Sequence, residues 1–339
     1  MRVITITILS LVFIPIISSE PISLSVGVAL VGAAGVGVKK YFFPPESPDD
    51  VTCWTDCCME LNTFDVIEKK LNEGLPRLFG QHVAAPVISK AILKHLNDKD
   101  PSKALTLSLH GLTGTGKNYV AMIIAEAMFT QPRNHMNVHF INCNLVQHEL
   151  AEFKAAILKK ITMSSKRCSR SLFVFDEFDK LPAGTIDVIS EFFEYNSAFV
   201  ARKSIFMFLS NTGGTLIAKA AIEQHLADKP REALTYQALS KLVQVAAFNE
   251  NGGFKDSKLI TRHLVDYFVP FLPLTHEHVL QCIHHELTRQ NAVLPRDEIL
   301  AIAESLNYFP EGNPIFSSSG CKTVGNQVNL FTTTSAKTL

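Results

Sequence analysis

The sequence predicts an α/β protein built on a parallel sheet, and three features carry that expectation. Beyond residue 50 the chain alternates helical stretches with short apolar strands, the order expected of a sheet covered by helices. Residues 104–110 alternate apolar and polar, run into a glycine-rich turn, and are followed at residues 119–129 by helical periodicity. Residues 172–175 (Leu-Phe-Val-Phe) are apolar without a break, the pattern of a strand buried on both faces. Composition agrees: at 339 residues and 47% hydrophobic the chain is far from disordered, and it is long enough for two compact units. Its 32 basic and 32 acidic side chains cancel. A neutral sum argues against a broad basic face, so no nucleic-acid partner is expected.

The charges are unevenly placed. Residues 1–38 hold only Arg2 and Glu20, where the 19% average would put about seven. Residues 3–17 are uncharged behind Arg2 and end at the small residues Ser18 and Ser19, so residues 1–19 read as a secretory signal peptide. A second uncharged stretch, residues 21–38, is closed by Lys39 and Lys40. As a helix it would span about 27 Å, just enough for a thin bilayer. It is also rich in glycine, and Ser25, Ala29, Ala33 and Gly37 recur every four residues, which suits close approach of another helix. Residues 20–40 therefore form a membrane-associating segment, lying in one leaflet or against a helix in preference to crossing. The linker at residues 41–60 carries Cys53, Cys57 and Cys58 around Trp54; local disulfides or a bond to a partner suit them better than zinc, for which no fourth ligand follows at finger spacing. Seven cysteines leave at least one thiol unpaired.

The glycine-rich turn is Gly111-Leu112-Thr113-Gly114-Thr115-Gly116-Lys117-Asn118. Placed between a strand and a helix start, it is a phosphate cradle: its glycines let backbone N–H groups face a phosphate, and the helix N-terminus adds its dipole. Lys117 supplies the charge that bridges β- and γ-phosphates, so ATP with magnesium is the expected ligand. Asn118 stands where the motif carries Ser or Thr for the metal. Its amide oxygen would coordinate magnesium directly or through a water, and both remain open. The run at 172–175 ends in Asp176 and Glu177, carboxylates at the carboxyl end of a central strand, where they face the crevice. Asp176 would join the magnesium shell and Glu177 would polarise the attacking water. The alternative is a strand followed by an ordinary acidic turn, with Asp179 and Lys180 merely solvated. A further strand at 204–210 ends at Asn211, which would order the lytic water or serve as a turn residue before Gly213 and Gly214.

Together these residues resemble AAA+ ATPases and, among them, the torsin family. The likeness runs from Glu20 to Val324 and rests on the Leu-Phe-Gly-Gln-His run ending at His82, residues 105–111, the Gly-Thr-Gly-Lys-Asn run ending at Asn118, Phe175-Asp176-Glu177, and residues 264–274. It implies a three-layer P-loop AAA+ nucleotide domain at 61–255 and a small helical lid domain at 256–324; residues 325–339 then read as a polar tail. The likeness also implies an ATPase of the endoplasmic-reticulum lumen and nuclear envelope, peripheral to the membrane and homo- or hetero-oligomeric, that remodels or chaperones partners. Lys322, in Gly320-Cys321-Lys322, takes the family's sensor 2 role, and Cys321 its redox role with Cys282 as partner. Without the likeness, Cys282 reads as a small core residue.

Between residues 212 and 250 the only arginine is Arg231, flanked by Pro230 and Glu232. An arginine finger contributes roughly 10³–10⁵ in rate, so a chain without one would hydrolyse slowly alone. The resemblance implies that lumenal domains of membrane-anchored activators donate it. Residues 144–161 hold no aromatic-glycine pore loop, which weakens a threading role. Two departures stand out: Glu304-Ser305 keeps only the first of the family's adjacent glutamates, and the Thr/Ser/Asn-rich tail leaves open whether a helix forms there to hold Lys322. The rival reading is a membrane-tethered scaffold that binds ATP without cycling. His276 and His278 are expected to be exposed at a helix start rather than to bind metal with His284 and His285, and Phe268 and Phe271 to be core.

Overall fold

Five parallel strands, in the order β2-β3-β4-β1-β5, form the central sheet: β1 Leu105–His110, β2 Val138–Asn142, β3 Leu172–Asp176, β4 Ile205–Ser210 and β5 Tyr267–Pro270. The computed structural model describes residues 61–133, 135–146, 150–195 and 200–335. The signal peptide, the membrane-associating segment, Cys53, Cys57 and Cys58 lie outside them.

Period-2 alternation divides the strands between two cores. Leu172 and Val174 of β3, with Leu105, Leu107 and Leu109 of β1 and Ile205, Met207 and Leu209 of β4, face α1 (Phe64–Gly74), α2 (Ala84–Asn97) and α3 (Lys117–Met128). Phe173 and Phe175, with Phe206 and Phe208, face the opposite way and pack under α4 (Leu150–Arg167) and the 3-10 helix Ile186–Phe193. One face is thus aliphatic and the other aromatic, with Phe173 stacked on Phe206 at 4.8 Å. Both faces are dry, which is why β3 and β4 read as continuous apolar runs. The three-layer α/β expectation holds.

Two expected boundaries change. β5 pairs with β1 from Leu107↔Tyr267 to His110↔Pro270, so the α/β domain extends past residue 255 and the helical domain begins near Thr275. The strand is only four residues long and ends at a proline, which is tolerated on an edge strand and obscures the strand pattern in the sequence. Between β4 and β5 lie α5 (Gly214–Leu226), α6 (Tyr236–Asn249) and the short α7 (Lys258–Thr261).

The helical domain comprises α8 (His276–Gln290), α9 (Arg296–Glu304), an antiparallel pair of β6 (Tyr308–Phe309) and β7 (Phe316–Ser317), and α10 (Val324–Ser335). α10 corrects the reading of residues 325–339 as a polar tail. Val324 and Val328, four apart, are buried with Ile283 and Leu287 of α8 and Ile302 of α9, and Phe331 packs beside them. A few apolar side chains at helical spacing suffice to dock an otherwise polar helix. Among the described residues no helix is long and apolar enough to cross a membrane.

Candidate nucleotide site

The glycine-rich turn emerges from β1 and feeds directly into α3, so its loop sits at the carboxyl edge of the sheet, beside the ends of β3 and β4. This is the crevice where parallel α/β sheets hold ligands. Thr113 to Asn118, Asp176, Glu177, Asn211, Cys282, Cys321 and Lys322 all line one cavity of about 410 Å³. Gly111 and Leu112 lie behind it, where their carbonyls accept from Lys117 Nζ at 2.6 and 2.9 Å.

Lys117 also donates to Asn211 Oδ1 at 3.1 Å, joining the phosphate loop to the end of β4. Burial pushes its ammonium pKa down to about 8, against the opposing pull of Asp179 and Asp176, while Lys322 adds to the depression. A buried cation with backbone carbonyls as its main partners and carboxylates nearby is poised for a phosphate.

Asp176 accepts from two neighbours: its Oδ1 from the Glu177 N–H at 2.9 Å and its Oδ2 from Asn118 Nδ2 at 2.6 Å. Asn118 therefore touches Asp176 directly through its amide nitrogen. The oxygen donors present are of the hard type that magnesium takes. Glu177 adopts a left-handed backbone (φ 53°), which carries it off the strand line and onto the cavity wall. That conformation costs a non-glycine residue about 1 kcal/mol.

The helical domain meets the loop through the segment around residue 320. The Cys321 N–H donates to the Gly114 carbonyl at 3.1 Å, and Cys321 is disulfide-bonded to Cys282 of α8. The pairing implied by the family likeness is thus formed, and Lys322 follows it onto the cavity wall. Cys143 is a buried free thiol.

Several residues escaped the sequence reading. Gln81 is buried and bridges the site: its Nε2 donates to the carbonyls of Thr115 and Leu272 at 3.0 and 2.8 Å, and its Oε1 accepts from the Leu272 N–H at 2.8 Å. Asp179 is not simply solvated; its Oδ1 accepts from the Asn211 N–H at 2.9 Å. Arg231 is turned inward, its Nη2 donating to the carbonyls of Gly80 and Pro273 at 2.9 Å each, with its guanidinium over Phe316. His278, expected to be exposed, is half-buried and closes a capping box with Thr275 at the start of α8. Its pKa is lowered to about 4 by burial first and by Arg231 second. On the mouth of the cavity, Tyr119 Oη lies 3.3 Å from His285 Nε2 across the two domains. The signals were single polar residues, without a spacing to mark them.

A family model described as Torsin matches residues 52–175, and one described as the Torsin-1A C-terminal domain matches residues 274–331. A torsin-like protein of Caenorhabditis elegans is 40% identical over 262 residues, covering 75% of this chain and 74% of that protein. The chain belongs to the torsin family. Among solved structures, the Saccharomyces cerevisiae Hsp104-ADP complex aligns with a TM-score of 0.58 at 14% identity, over 91% of this chain and 51% of the Hsp104 chain. A closed-state structure of Hsp104 with ATPγS and FITC casein gives 0.54 at 14%, over 81% and 47%. This torsin-family chain thus spans about half the length of those Hsp104 chains, and the likeness shows the AAA+ fold.

Proposed function

We propose that this torsin-family chain binds ATP with magnesium in the cavity and hydrolyses it, slowly by itself and faster when a partner supplies an arginine. The observation that carries the reading is the grouping of Lys117, Asp176, Glu177 and Asn211 around one cavity that the Lys322 loop closes from the helical domain. The loop N–H groups and Lys117 bind the phosphates. Magnesium, when bound, neutralises phosphate charge, with Asn118 and Asp176 as the groups that would hold it. Glu177 takes a proton from the attacking water, and Asn211 orients that water. Lys322 adds positive charge from the lid.

Arg231 supports the need for an outside arginine, because its guanidinium is committed to carbonyls within the chain. The partner in this reading is the lumenal domain of a membrane-anchored activator, and the setting is the endoplasmic-reticulum lumen and nuclear envelope, with residues 20–40 holding the chain at the membrane surface. The work done is remodelling or chaperoning of partners there, by homo- or hetero-oligomers. The Cys282–Cys321 disulfide makes lid position sensitive to redox conditions. Protease protection in microsomes tests the setting, and steady-state ATPase assays with and without an arginine-bearing activator test the activation: equal, fast turnover in both would refute it. The rival, a scaffold that binds ATP without cycling, draws on the direct Asn118–Asp176 hydrogen bond, which engages the carboxylate oxygen otherwise offered to the metal shell.

A further inference from the structure

His110 ends β1 and immediately precedes the phosphate loop, yet no step above uses it. Its ring is fully buried, with Phe254 and Phe268 at centroid distances of 5.5 and 5.9 Å. Both ring nitrogens are engaged: Nδ1 lies 2.9 Å from the Thr212 carbonyl, and Nε2 lies 2.5 Å from Ser108 Oγ. A carbonyl has no proton to give, so Nδ1 carries the N–H, and Nε2 accepts from the Ser108 hydroxyl. Burial lowers the ring's pKa to about 4, with the nearby Lys117 cation adding to the shift against the bond to Thr212, so this tautomer is neutral at physiological pH.

Thr212 is the residue after Asn211. The turn they form is held from several sides: the carbonyls of Asn211 and Gly213 accept from the N–H groups of Gly214 and Ile217 at 2.9 and 3.0 Å, and three further bonds act on its own N–H groups. Asp179 accepts from the Asn211 N–H, Ser210 Oγ from the Thr212 N–H at 3.1 Å, and both Glu250 carboxylate oxygens from the Gly213 N–H at 3.2 Å each. His110 supplies the donor for the buried Thr212 carbonyl. Without it, that acceptor would be desolvated and unpaired, and the turn would shift to satisfy it. Any shift moves Asn211, whose carboxamide oxygen receives the Lys117 hydrogen bond.

We propose that His110 is a positioning residue: through its Nδ1–H bond to the Thr212 carbonyl it fixes Asn211 against Lys117 for ATP hydrolysis. This rests on the hydrolytic reading above. Misplacing a catalytic group by about 1 Å costs up to roughly a hundredfold in rate.

The test compares three variants of the full chain in activator-stimulated turnover, with ATP affinity and thermal unfolding recorded beside it. His110→Asn sets an amide N–H near the Nδ1 position, His110→Gln sets one near Nε2, and His110→Phe fills the space without either bond. The expected result is that Asn keeps at least about a third of wild-type kcat, while Gln and Phe fall about tenfold or more, all with ATP affinity within about threefold. Gln equal to Asn, or Phe equal to wild type, would overturn the proposal. Nitrogen NMR of the wild-type chain gives a readout independent of any variant. A neutral Nδ1-H imidazole between pH 5.5 and 8 is expected, and an imidazolium or an Nε2-H tautomer would overturn the assignment. A wild-type chain that binds ATP and never turns over refutes the hydrolytic reading instead, whatever tautomer is found.

Discussion

The Cys321 N–H donates to the Gly114 carbonyl at 3.1 Å, so the tip of the phosphate loop and the loop that carries Lys322 are bonded backbone to backbone. The approach is possible because both sides lack a side chain. A Cβ on Gly114, which has φ +72°, would stand 1.7 Å from the Ser319 carbonyl oxygen, and one on Gly320 would stand 2.3 Å from the Gly114 oxygen. Cys321 is tied in turn to Cys282 on α8. Nucleotide cradle, lid and disulfide therefore share one contact.

Gly320→Ala tests that contact from the lid side, away from the phosphate cradle. The added methyl forces the two loops apart, so ATP affinity is expected to fall at least tenfold, or about 1.4 kcal/mol, while the α/β domain stays folded. Equilibrium dialysis gives the affinity, and limited proteolysis should find new cleavage between the domains. Unchanged affinity with intact protection of the lid would show that the contact is incidental.

Cys282→Ser with Cys321→Ser removes a link that closes a 39-residue separation. Chain entropy assigns such a loop roughly 4 kcal/mol. The helical domain is expected to unfold at lower urea than the α/β domain, and reduction of the wild-type chain by dithiothreitol should reproduce the shift. An unchanged urea profile in both would remove the disulfide from the account of lid position.

The layered fold was legible because its signals repeat: alternation at 104–110, an unbroken apolar run at 172–175, and glycines at the spacing of a phosphate loop. Asp176, Glu177, Asn211 and Lys322, which line one cavity, stood out for the same reason, since each lies at a strand end or in a recognisable motif. β5 was missed because four residues ending in proline carry too little pattern. α10 was missed because Val324, Val328 and Phe331 are few among polar neighbours, and only the partner helices show that they are enough. Gln81, Asp179, His110 and Arg231 act on backbone groups distant in sequence, which no local spacing encodes.

Arg231→Ala leaves two carbonyls, those of Gly80 and Pro273, without their charged donor. The loss is expected to be about 2–3 kcal/mol of stability in urea titration. Because the guanidinium serves its own chain, adding wild-type protein should not restore any lost turnover. Recovery on mixing would reveal an arginine acting between subunits.

Lys117 makes nucleotide binding depend on pH. Its pKa is depressed from 10.5 to about 8 in the folded chain, so the charged form is the costlier one there. Stability from this group is expected to rise as pH increases from about 8 toward 10.5, as the folded ammonium gives up its proton before the unfolded one. Phosphate charge favours the proton, so ATP binding near pH 8.5 should take protons up from solution and binding near pH 6.5 should not. Calorimetry in two buffers of different ionisation enthalpy measures the uptake, and Lys117→Met should abolish it. Equal uptake at both values would place the coupling elsewhere.

In the proposed reaction, bound ATP is cleaved with Glu177 as the base. Single-turnover conversion of radiolabelled ATP, with enzyme in excess and an arginine-donating activator present, tests it most directly. The wild-type chain is expected to convert its bound ATP to ADP, and Glu177→Gln to bind with similar affinity while converting it about 10²–10⁴ times more slowly. Wild-type chain that holds ATP unchanged, or a Glu177→Gln variant that cleaves it at the wild-type rate, would contradict the account.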